Sequence, residues 1–284
     1  MTSVRWIGFD VDECVGSFSL LWPYCERSIH GMDAPRRRAF LREMARAVSE
    51  SPTLWMVRPG LDRLLQRILK AYDAGQITGC FLLSNNGSLC VIECVREILN
   101  HRFWKLRGFT GSPEDPATAL VRAAWHRYAP CRKNRINKTW EQVVHCLQSR
   151  HLPPPSSTDD LLFYDDLEHV MAHEITHYVK VKPYTNYTPH AHVFEAVTPV
   201  LRAFGISEKR IADMYRVGES TVREDKRGYD YTYTSPNTHV SYTDEFERGL
   251  DAFVGTVGGR RRGSQTRRCR RKRTATLKQL WHKY

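Results

Sequence analysis

An apolar run near the start of the chain ends in two aspartates that are separated by one residue. The segment 6–16 reads WIGFDVDECVG, with Asp10 and Asp12 after the apolar run and Gly16 at its break. Side chains alternate along a strand, so both carboxylates are expected on one face at its carboxyl end, which faces the ligand crevice in open α/β sheets. Two carboxylates held together there repel each other unless a cation lies between them. The pattern therefore indicates a Mg²⁺ site beside a nucleophile that attacks phosphorus.

Apolar segments alternate with amphipathic ones from the start of the chain to about residue 205. Because this alternation is typical of a parallel sheet covered on both faces, the predicted fold class is α/β, with a Rossmann-like parallel sheet flanked by helices. Strands are predicted at 4–11, 79–84, 161–164 and 178–181, the first two of them buried, with a further short strand within 103–112. Helices are predicted near 35–49 and at 61–74, 88–99, 117–127 and 138–149, the last of them capped by Asn137.

Composition separates a regular core from a less regular extension. Residues 1–205 are predicted to form the core, with 17–57 as a small cap insertion after the first strand. The apolar pattern weakens beyond residue 205, so residues 206–259 are predicted to be a helical and irregular extension. Within it we expect helices at 206–227 and 244–254.

Basic charge is concentrated in residues 260–284. This segment contains eleven of the 43 Lys and Arg residues and no Asp or Glu, although the whole chain has 31 acidic residues and a net charge of +12. The rest of the chain is therefore nearly neutral. A charge this dense cannot pack into a core, so we expect a disordered tail. Such tails bind polyanions, so we expect nucleic acid or a nuclear-import receptor as its partner, and a location in the nucleus.

Cysteine usage and hydropathy indicate an intracellular protein. The eight cysteines are scattered and form no CxxC pair, which predicts free thiols in a reducing compartment rather than a disulfide framework. Segments of about 18 consecutive apolar residues are missing from the sequence, so a membrane span is not expected. The N-terminus lacks the features of a secretory signal, so we expect the protein in the cytoplasm or the nucleus.

Polar residues follow the predicted strands, or begin a predicted helix, in this order: Asp10 with Asp12, Ser84, Lys138, and Asp165 with Asp166. The segments that carry them read FDVDECVG, FLLSNNGS, INKTWEQV and LLFYDDLEHV. Their order resembles the haloacid dehalogenase-like (HAD) phosphohydrolase superfamily over roughly residues 4–183. The stretch Arg58-Pro59-Gly60-Leu61 is similar to the CTD-phosphatase, or NLI-interacting-factor-like, branch of that superfamily.

The resemblance implies a catalytic role for each matching residue. Asp10 would be the nucleophile that forms an aspartyl-phosphate, and Asp12 the general acid and then the general base. Ser84 and the backbone of Asn85 would hold the phosphoryl oxygens, and Lys138 would neutralise the phosphate. Phosphoryl transfer needs such an in-line nucleophile and such neutralisation of charge, which agrees with these assignments.

The resemblance also implies a Mg²⁺ site and a class of substrate. Asp10, Asp12 and Asp165 would take part in the site, with Asp166 binding directly or through water. A small cap in this superfamily implies an open site and a large substrate. We therefore expect a Mg²⁺-dependent phosphatase that acts on a phosphorylated macromolecule, either a phosphoserine or phosphothreonine protein or a nucleic-acid end.

Two positions and one further function class stay open. Lys133 is a rival to Lys138 for the role of the cation. Cys14 stands where the family usually has Thr or Val, although a cysteine fills a similar volume. A catalytically silent HAD-fold protein that binds nucleic acid is an alternative, against which stands the presence of all the key side chains.

A second motif favours a different metal. The segment 173–177 reads HEITH, which on a helix would place two histidines on one face around Zn²⁺ with Glu174 as the base. His190 or His192 would offer a third ligand. A zinc-dependent hydrolase is therefore an alternative, although a return strand is predicted at 178–181, where a zinc-protease helix would have to continue.

A weaker pattern lies in the extension at 211–222. Its spacing of Ala and Val resembles a DNA-binding helix-turn-helix, but Arg216 occupies the usual position of the turn glycine and Gly218 comes two residues later. An amphipathic helix, or a pair of helices, packed on the core is the favoured interpretation.

Overall fold

The computed structural model describes residues 3–109, 119–132, 137–184, 188–225 and 244–259. Within these ranges the five strands are β1 (Trp6–Phe9), β2 (Gly79–Leu83), β3 (Val121–Trp125), β4 (Leu161–Asp165) and β5 (His177–Lys180). The nine α-helices of the same ranges are α1 (Trp22–Ser28), α2 (Ala34–Glu50), α3 (Leu61–Asp73), α4 (Leu89–Leu106), α5 (Trp140–Ser149), α6 (Met171–Glu174), α7 (His190–Ala203), α8 (Glu208–Asp225) and α9 (Asp244–Gly259). None of these helices has the length and apolar character needed to cross a lipid bilayer.

The five strands form one parallel sheet with β1 at its centre. The strand order is β3-β2-β1-β4-β5, and every neighbouring pair is parallel. The fold is therefore the α/β class with a Rossmann-like parallel sheet, as the alternation of segments predicts. The order of the strands reverses direction between β1 and β4, and ligands bind beyond the carboxyl ends of strands at such a point.

Strands β1, β2 and β4 are buried along their whole length, β3 is buried except at the half-buried Arg122, and the edge strand β5 is half-buried with Lys180 exposed. Ile7 and Phe9 face a core that includes α3, α4 and α9, whereas Trp6 faces a second core with α5. This burial explains why the strands read as continuous apolar runs rather than alternating ones. Gly8 of β1 lies under the rings of Phe81 and Phe163, which leave no space for a side chain at this position.

Residues 17–57, the predicted small cap insertion, fold into helices that pack beside the sheet. They contain a short 3-10 helix at Ser19–Leu21, followed by α1 and α2. Helix α2 packs on α4 and α7, and α1 packs on α4 and α8. Their buried residues belong to the same core as Ile7 and Phe9, so the insertion extends the helical layer on that face.

The predicted boundary at residue 205 falls in the turn between α7 and α8. Helix α8 packs on α1 and α7, while α9 packs on α3, β4 and β5. Helix α8 is unbroken from Glu208 to Asp225, so the helix-turn-helix interpretation of 211–222 is wrong. Gly218, two residues after the expected turn position, lies within the helix against the His190 ring of α7. Residues 228–243 and the predicted disordered tail at 260–284 lie outside the described residues.

Between residues 103 and 127 the described residues contradict one secondary-structure prediction and most of another. Helix α4 continues to Leu106 with Phe103 buried on the same face as Leu99, where a strand is predicted within 103–112, and residues 110–112 of that range lie outside the described residues. Strand β3 occupies Val121–Trp125, where a helix was expected. Alanine favours helices, but pairing with β2 and burial at this position of the sheet outweigh that local preference.

One pair of cysteines corrects the expectation that the thiols are free. Cys131, in the loop after β3, is bonded to Cys146 on α5. The two residues are 15 positions apart, and only the folding of that loop against α5 brings them together. The remaining cysteines of the described residues are free and buried, namely Cys14, Cys25, Cys80, Cys90 and Cys94.

The disulfide predicts that reduction weakens the fold. A cross-link over 15 residues restricts the unfolded chain, so a dithiol reductant is expected to lower the free energy of unfolding by about 3 kcal/mol. Urea denaturation with and without the reductant measures the difference. A Cys131→Ser/Cys146→Ser double variant is the control and should be insensitive to the reductant. Identical curves for the wild type, or alkylation of both thiols in unreduced protein, would contradict the disulfide.

Candidate metal centre

Three carboxylates meet at the carboxyl ends of β1 and β4. Asp10 follows β1, Asp165 is the last residue of β4 and Asp166 comes next. The two strands pair in register, and the Asp10 backbone N–H donates to the Tyr164 carbonyl at 2.8 Å. Each of the three carboxylates offers an oxygen that lies within 4.8 Å of the other two, and all three residues are buried. The sheet therefore brings together Asp10, Asp165 and Asp166, as expected from their positions after strands.

Lys138 joins two of these carboxylates. Its Nζ lies 2.9 Å from Asp10 Oδ1 and 2.7 Å from Asp165 Oδ2, and the side chain is fully buried. Burial lowers the pKa of Lys138, but attraction by Asp10 and Asp165 outweighs it, so the pKa is raised and the group is charged. Thr139, rather than the predicted Asn137, caps α5 by accepting from the Gln142 N–H. The rival Lys133 lies outside the described residues.

One lysine does not compensate three buried carboxylates. Burial raises the pKa of Asp166 to about 7, and repulsion from Asp10 and Asp165 adds to the shift. Burial also raises the pKa of Asp165 to about 6, although attraction by Lys138 opposes it. An oxygen-only set of ligands with excess negative charge suits hard cations such as Mg²⁺. The residues present therefore fit a divalent cation of this kind.

Asp12 lies outside the cluster of three carboxylates. Strand β1 ends at Phe9, before the predicted end at residue 11, so Asp12 lies three residues beyond the strand and the alternation expected to align it with Asp10 does not extend to it. Its Oδ2 accepts from Asn86 Nδ2 at 2.8 Å, and its Oδ1 accepts from the Phe18 N–H at 3.4 Å. Burial raises the pKa of Asp12 to about 6; the bond from Asn86 lowers it and repulsion by Asp10 raises it further.

The loop after β2 carries Ser84, Asn85 and Asn86. Ser84 is buried, its N–H donates to the Trp125 carbonyl of β3, and its Oγ accepts from the Asn86 N–H at 3.1 Å. Because Asn86 also donates to Asp12, this loop connects the expected phosphate-binding residues with the expected acid. Asn86 was not anticipated, although it lies in the segment FLLSNNGS, because nothing in that segment shows that its partner is Asp12.

Arg58 holds the turn that follows Asp12. Its Nε donates to the Cys14 carbonyl at 2.6 Å, and its Nη2 donates to the carbonyls of Glu13 and Lys182 at 2.7 and 2.6 Å. Glu13 has a positive φ of 60°, a conformation that needs such support. The sequence marked Arg58 only through its resemblance to a family branch, and its partners lie too far along the chain to be read from a pattern.

Two further residues near the cluster were not anticipated. His169 Nε2 lies 3.6 Å from Asp165 Oδ2, and burial, with repulsion by Lys138, lowers the pKa of His169 to about 4, so the imidazole is neutral. Arg132 reaches the carbonyl of Ser84 and the side chain of Asn85 from the loop after β3. In the sequence His169 extends the spacing of the HEITH histidines by four residues, which indicates a zinc ligand rather than a neighbour of Asp165, and an arginine in a basic loop gives no signal.

The HEITH segment does not form the helix that a zinc site needs. Helix α6 ends at Glu174, Ile175 is extended, and His177 belongs to β5. His173 is exposed, whereas the His177 ring packs against Phe253 at 5.2 Å between centroids. The two histidines therefore do not share a helical face.

The other residues of the zinc alternative also have different surroundings. The Glu174 carboxylate accepts from the Trp140 N–H at 2.6 Å. His190 shares a hydrogen bond of 2.5 Å with the Tyr24 hydroxyl of α1. The structure thus places these side chains in contacts within the fold rather than around one ion.

The raised carboxylate pKa values predict how Mg²⁺ changes stability with pH. Folded and metal-free, Asp165 and Asp166 keep protons up to about pH 6 and 7, whereas unfolded they release them near 3.8. This contribution to the free energy of unfolding therefore falls as pH rises from about 4 to 7. A bound cation stabilises the deprotonated carboxylates of Asp165 and Asp166 and so offsets this loss of stability. The melting temperature in Mg²⁺ minus that in EDTA should be near zero at about pH 5 and several degrees at about pH 8.

The test uses the difference between the melting temperatures in Mg²⁺ and in EDTA, because other groups also change stability with pH. Buried histidines with lowered pKa values, such as His169, raise the free energy of unfolding as pH rises through the same range, and the subtraction removes their contribution. Asp166→Asn is the matched variant. In EDTA at about pH 8 it should melt a few degrees above the wild type, because it removes a buried charge, and Mg²⁺ should raise its melting temperature little. An equally large Mg²⁺ effect at about pH 5, or an unchanged effect in Asp166→Asn, would contradict the site.

Comparisons with models of known families, with proteins of curated function and with solved structures found no match to this chain. The resemblance to the HAD phosphohydrolases therefore stays a prediction. It is carried by the order of the motifs in the sequence.

Proposed function

We propose that this chain is a Mg²⁺-dependent phosphatase that forms an aspartyl-phosphate on Asp10, in the manner of the HAD phosphohydrolases it resembles. The observation that carries the proposal is the buried group of Asp10, Asp165 and Asp166, with Lys138 in contact with two of them. It lies beyond the carboxyl ends of β1 and β4, where parallel sheets bind ligands.

Asp10 is the proposed nucleophile. Lys138 contacts its Oδ1 and orients the carboxylate. An oxygen of Asp10 forms a bond to phosphorus while the bond between phosphorus and the leaving oxygen breaks. The side chain of Ser84 and the backbone N–H of Asn85 are proposed to bind the phosphoryl oxygens, and the charge of Lys138 opposes the negative charge that spreads over them.

Asp12 is the proposed acid and base. It follows Asp10 by two residues, and Asn86 holds its Oδ2. Asp12 gives its proton to the leaving oxygen in the first step. In the second step the same carboxylate takes a proton from the water that attacks the phosphorus of the aspartyl-phosphate, which returns Asp10 to its starting state.

Asp10, Asp165 and Asp166 are the residues that would hold the cation. When bound, Mg²⁺ supplies positive charge that offsets the carboxylates and the phosphate. The other contributions come from the chain itself, since Lys138 keeps Asp10 and Asp165 in place and the backbone N–H of Leu167 donates to Asp165 Oδ1 at 3.0 Å.

A phosphorylated macromolecule is the proposed substrate. Only residues 17–57 are inserted between the first motif and α3, and their helices pack on α4, α7 and α8, within the helical layer. The described part of the chain therefore contains no separate cap domain between these elements. A phosphoprotein and a nucleic-acid end both fit this description.

We infer that residues 260–284 bind a polyanion, either a nucleic acid or an acidic import receptor. The inference depends on their charge, which includes eleven basic residues and no acidic one. A location in the nucleus belongs to the same proposal. The segment is therefore expected to recruit substrate or to direct the protein, and to take no part in the chemical step.

Asp10→Asn is expected to lower hydrolysis of p-nitrophenyl phosphate in Mg²⁺ by at least about a thousandfold, because it removes the nucleophile. Beryllofluoride, which mimics an aspartyl-phosphate, should raise the melting temperature of the wild type and not that of Asp10→Asn. The control is His173→Ala, which removes an exposed histidine of the HEITH segment and should leave the rate unchanged. Full activity in Asp10→Asn, or activity on peptides that requires Zn²⁺ and His173, would overturn the proposal.

Removal of residues 260–284 is expected to leave hydrolysis of p-nitrophenyl phosphate within about twofold of the full chain. Binding to an oligonucleotide should weaken, and the dependence of its affinity on salt should become much shallower, because fewer counterions are released. Assays on a phosphorylated oligonucleotide end and on a phosphopeptide distinguish the two substrate classes. Loss of turnover on the small substrate would show that the segment belongs to the fold.

A further inference from the structure

Arg132 is a buried arginine beside the loop that carries Ser84 and Asn85. Its Nη1 donates to the Ser84 carbonyl at 2.5 Å, and its Nη2 donates to Asn85 Oδ1 at 2.8 Å. Only 4% of the residue is exposed. One planar guanidinium therefore contacts the backbone of one residue and the side chain of the next, in the loop that is proposed to bind phosphate.

Both acceptors of Arg132 are uncharged oxygens. Burial lowers the pKa of its guanidinium, and attraction by Asp10 opposes that change. Its Nε is buried and finds no acceptor within the described residues. A buried charge that is met by neutral oxygens is costly, and this cost falls when an anion lies nearby.

The loop that carries Arg132 is tied to the segment that follows Lys138. Cys131, its direct neighbour, is bonded to Cys146 on α5, and the Arg132 N–H donates to the Ala129 carbonyl at 2.9 Å. The backbone of the same loop also meets the phosphate loop, because the Arg127 N–H donates to the Asn86 carbonyl at 2.9 Å. The position of Arg132 is thus set from both sides.

We propose that Arg132 is a positioning residue that holds Ser84 and Asn85 in the conformation that binds phosphate. The inference rests on the proposed function, and it adds a residue that the HAD resemblance does not assign. One of its bonds reaches the Ser84 backbone and the other reaches the Asn85 side chain, so the guanidinium joins two consecutive residues of the loop.

The test measures binding of inorganic phosphate in Mg²⁺ by calorimetry, and KM and kcat for p-nitrophenyl phosphate. Arg132→Gln and Arg132→Lys are both expected to weaken phosphate binding and raise KM by about tenfold or more, because charge-assisted hydrogen bonds are lost. The value of kcat should change less than KM. A lysine keeps the charge but cannot form both bonds, so it should not restore affinity.

Arg127→Gln is the matched control for charge. It removes an arginine from the same loop, and phosphate affinity should stay within about threefold of the wild type. Binding of Mg²⁺ alone should be unchanged in all three variants, which shows that the carboxylate cluster is intact. Should Arg132→Gln fail to fold, Arg132→Lys and Asn85→Ala provide the same information. Asn85→Ala removes the acceptor of Nη2 but keeps the backbone N–H, and its effect should not add to that of Arg132→Lys.

The outcomes separate this inference from the proposed function. Binding of phosphate that depends on Arg132, without turnover of aryl phosphate by the wild type, would support the positioning role and overturn the phosphatase. Full affinity in Arg132→Lys would show that only the charge matters and would overturn positioning. Unchanged affinity in Arg132→Gln, or no phosphate binding by the wild type, would also overturn it.

Discussion

The contact of Lys138 with Asp10 and Asp165 is the interaction on which the site depends. A fully buried ammonium group loses its hydration, and the two carboxylates, with the ring of Phe163 at 5.6 Å, restore a favourable environment for its charge. The same contact joins the segment before α5 to the ends of β1 and β4. Without the lysine, three buried carboxylates would repel one another at a point where the sheet itself holds them together.

The sheet and most of the site could be predicted because their signals are local. A strand buried on both faces reads as a continuous apolar run, and a polar residue after such a run lies at the carboxyl end of the sheet. These rules place Asp10, Ser84 and Asp165 correctly at strand ends. They do not show which side chains meet, and so Asp12 was grouped with a cluster of carboxylates that its side chain does not join.

The missed features depend on contacts between distant parts of the chain. The role of Asn86 becomes visible only in the folded structure, where its side chain donates to Asp12. The bond between Cys131 and Cys146 likewise depends on the packing of the loop after β3 against α5. Local preference fails in the same way at β3, where an alanine-rich segment pairs with β2. The HEITH motif matches in sequence but not in structure, because α6 has four residues and ends at Glu174, so His173 and His177 do not lie on one helix.

Helix α9 fixes where the basic segment begins. The Tyr164 hydroxyl donates to the Phe246 carbonyl at 2.7 Å, and Arg5 lies over the ring of Phe253, so the helix is held against the strand that ends at Asp165. Phe246 packs on Tyr164 near the carboxyl end of β4, whereas Phe253 packs on Arg5 and His177 at the amino ends of β1 and β5. Helix α9 therefore runs away from the carboxylates towards the opposite edge of the sheet. Residues 260–284 follow this helix in the sequence and span at most about 90 Å when fully extended. A polyanion bound by them would have to reach from that edge to the carboxylates, so a long and flexible polyanion would present its phosphates to the site and a short one would not.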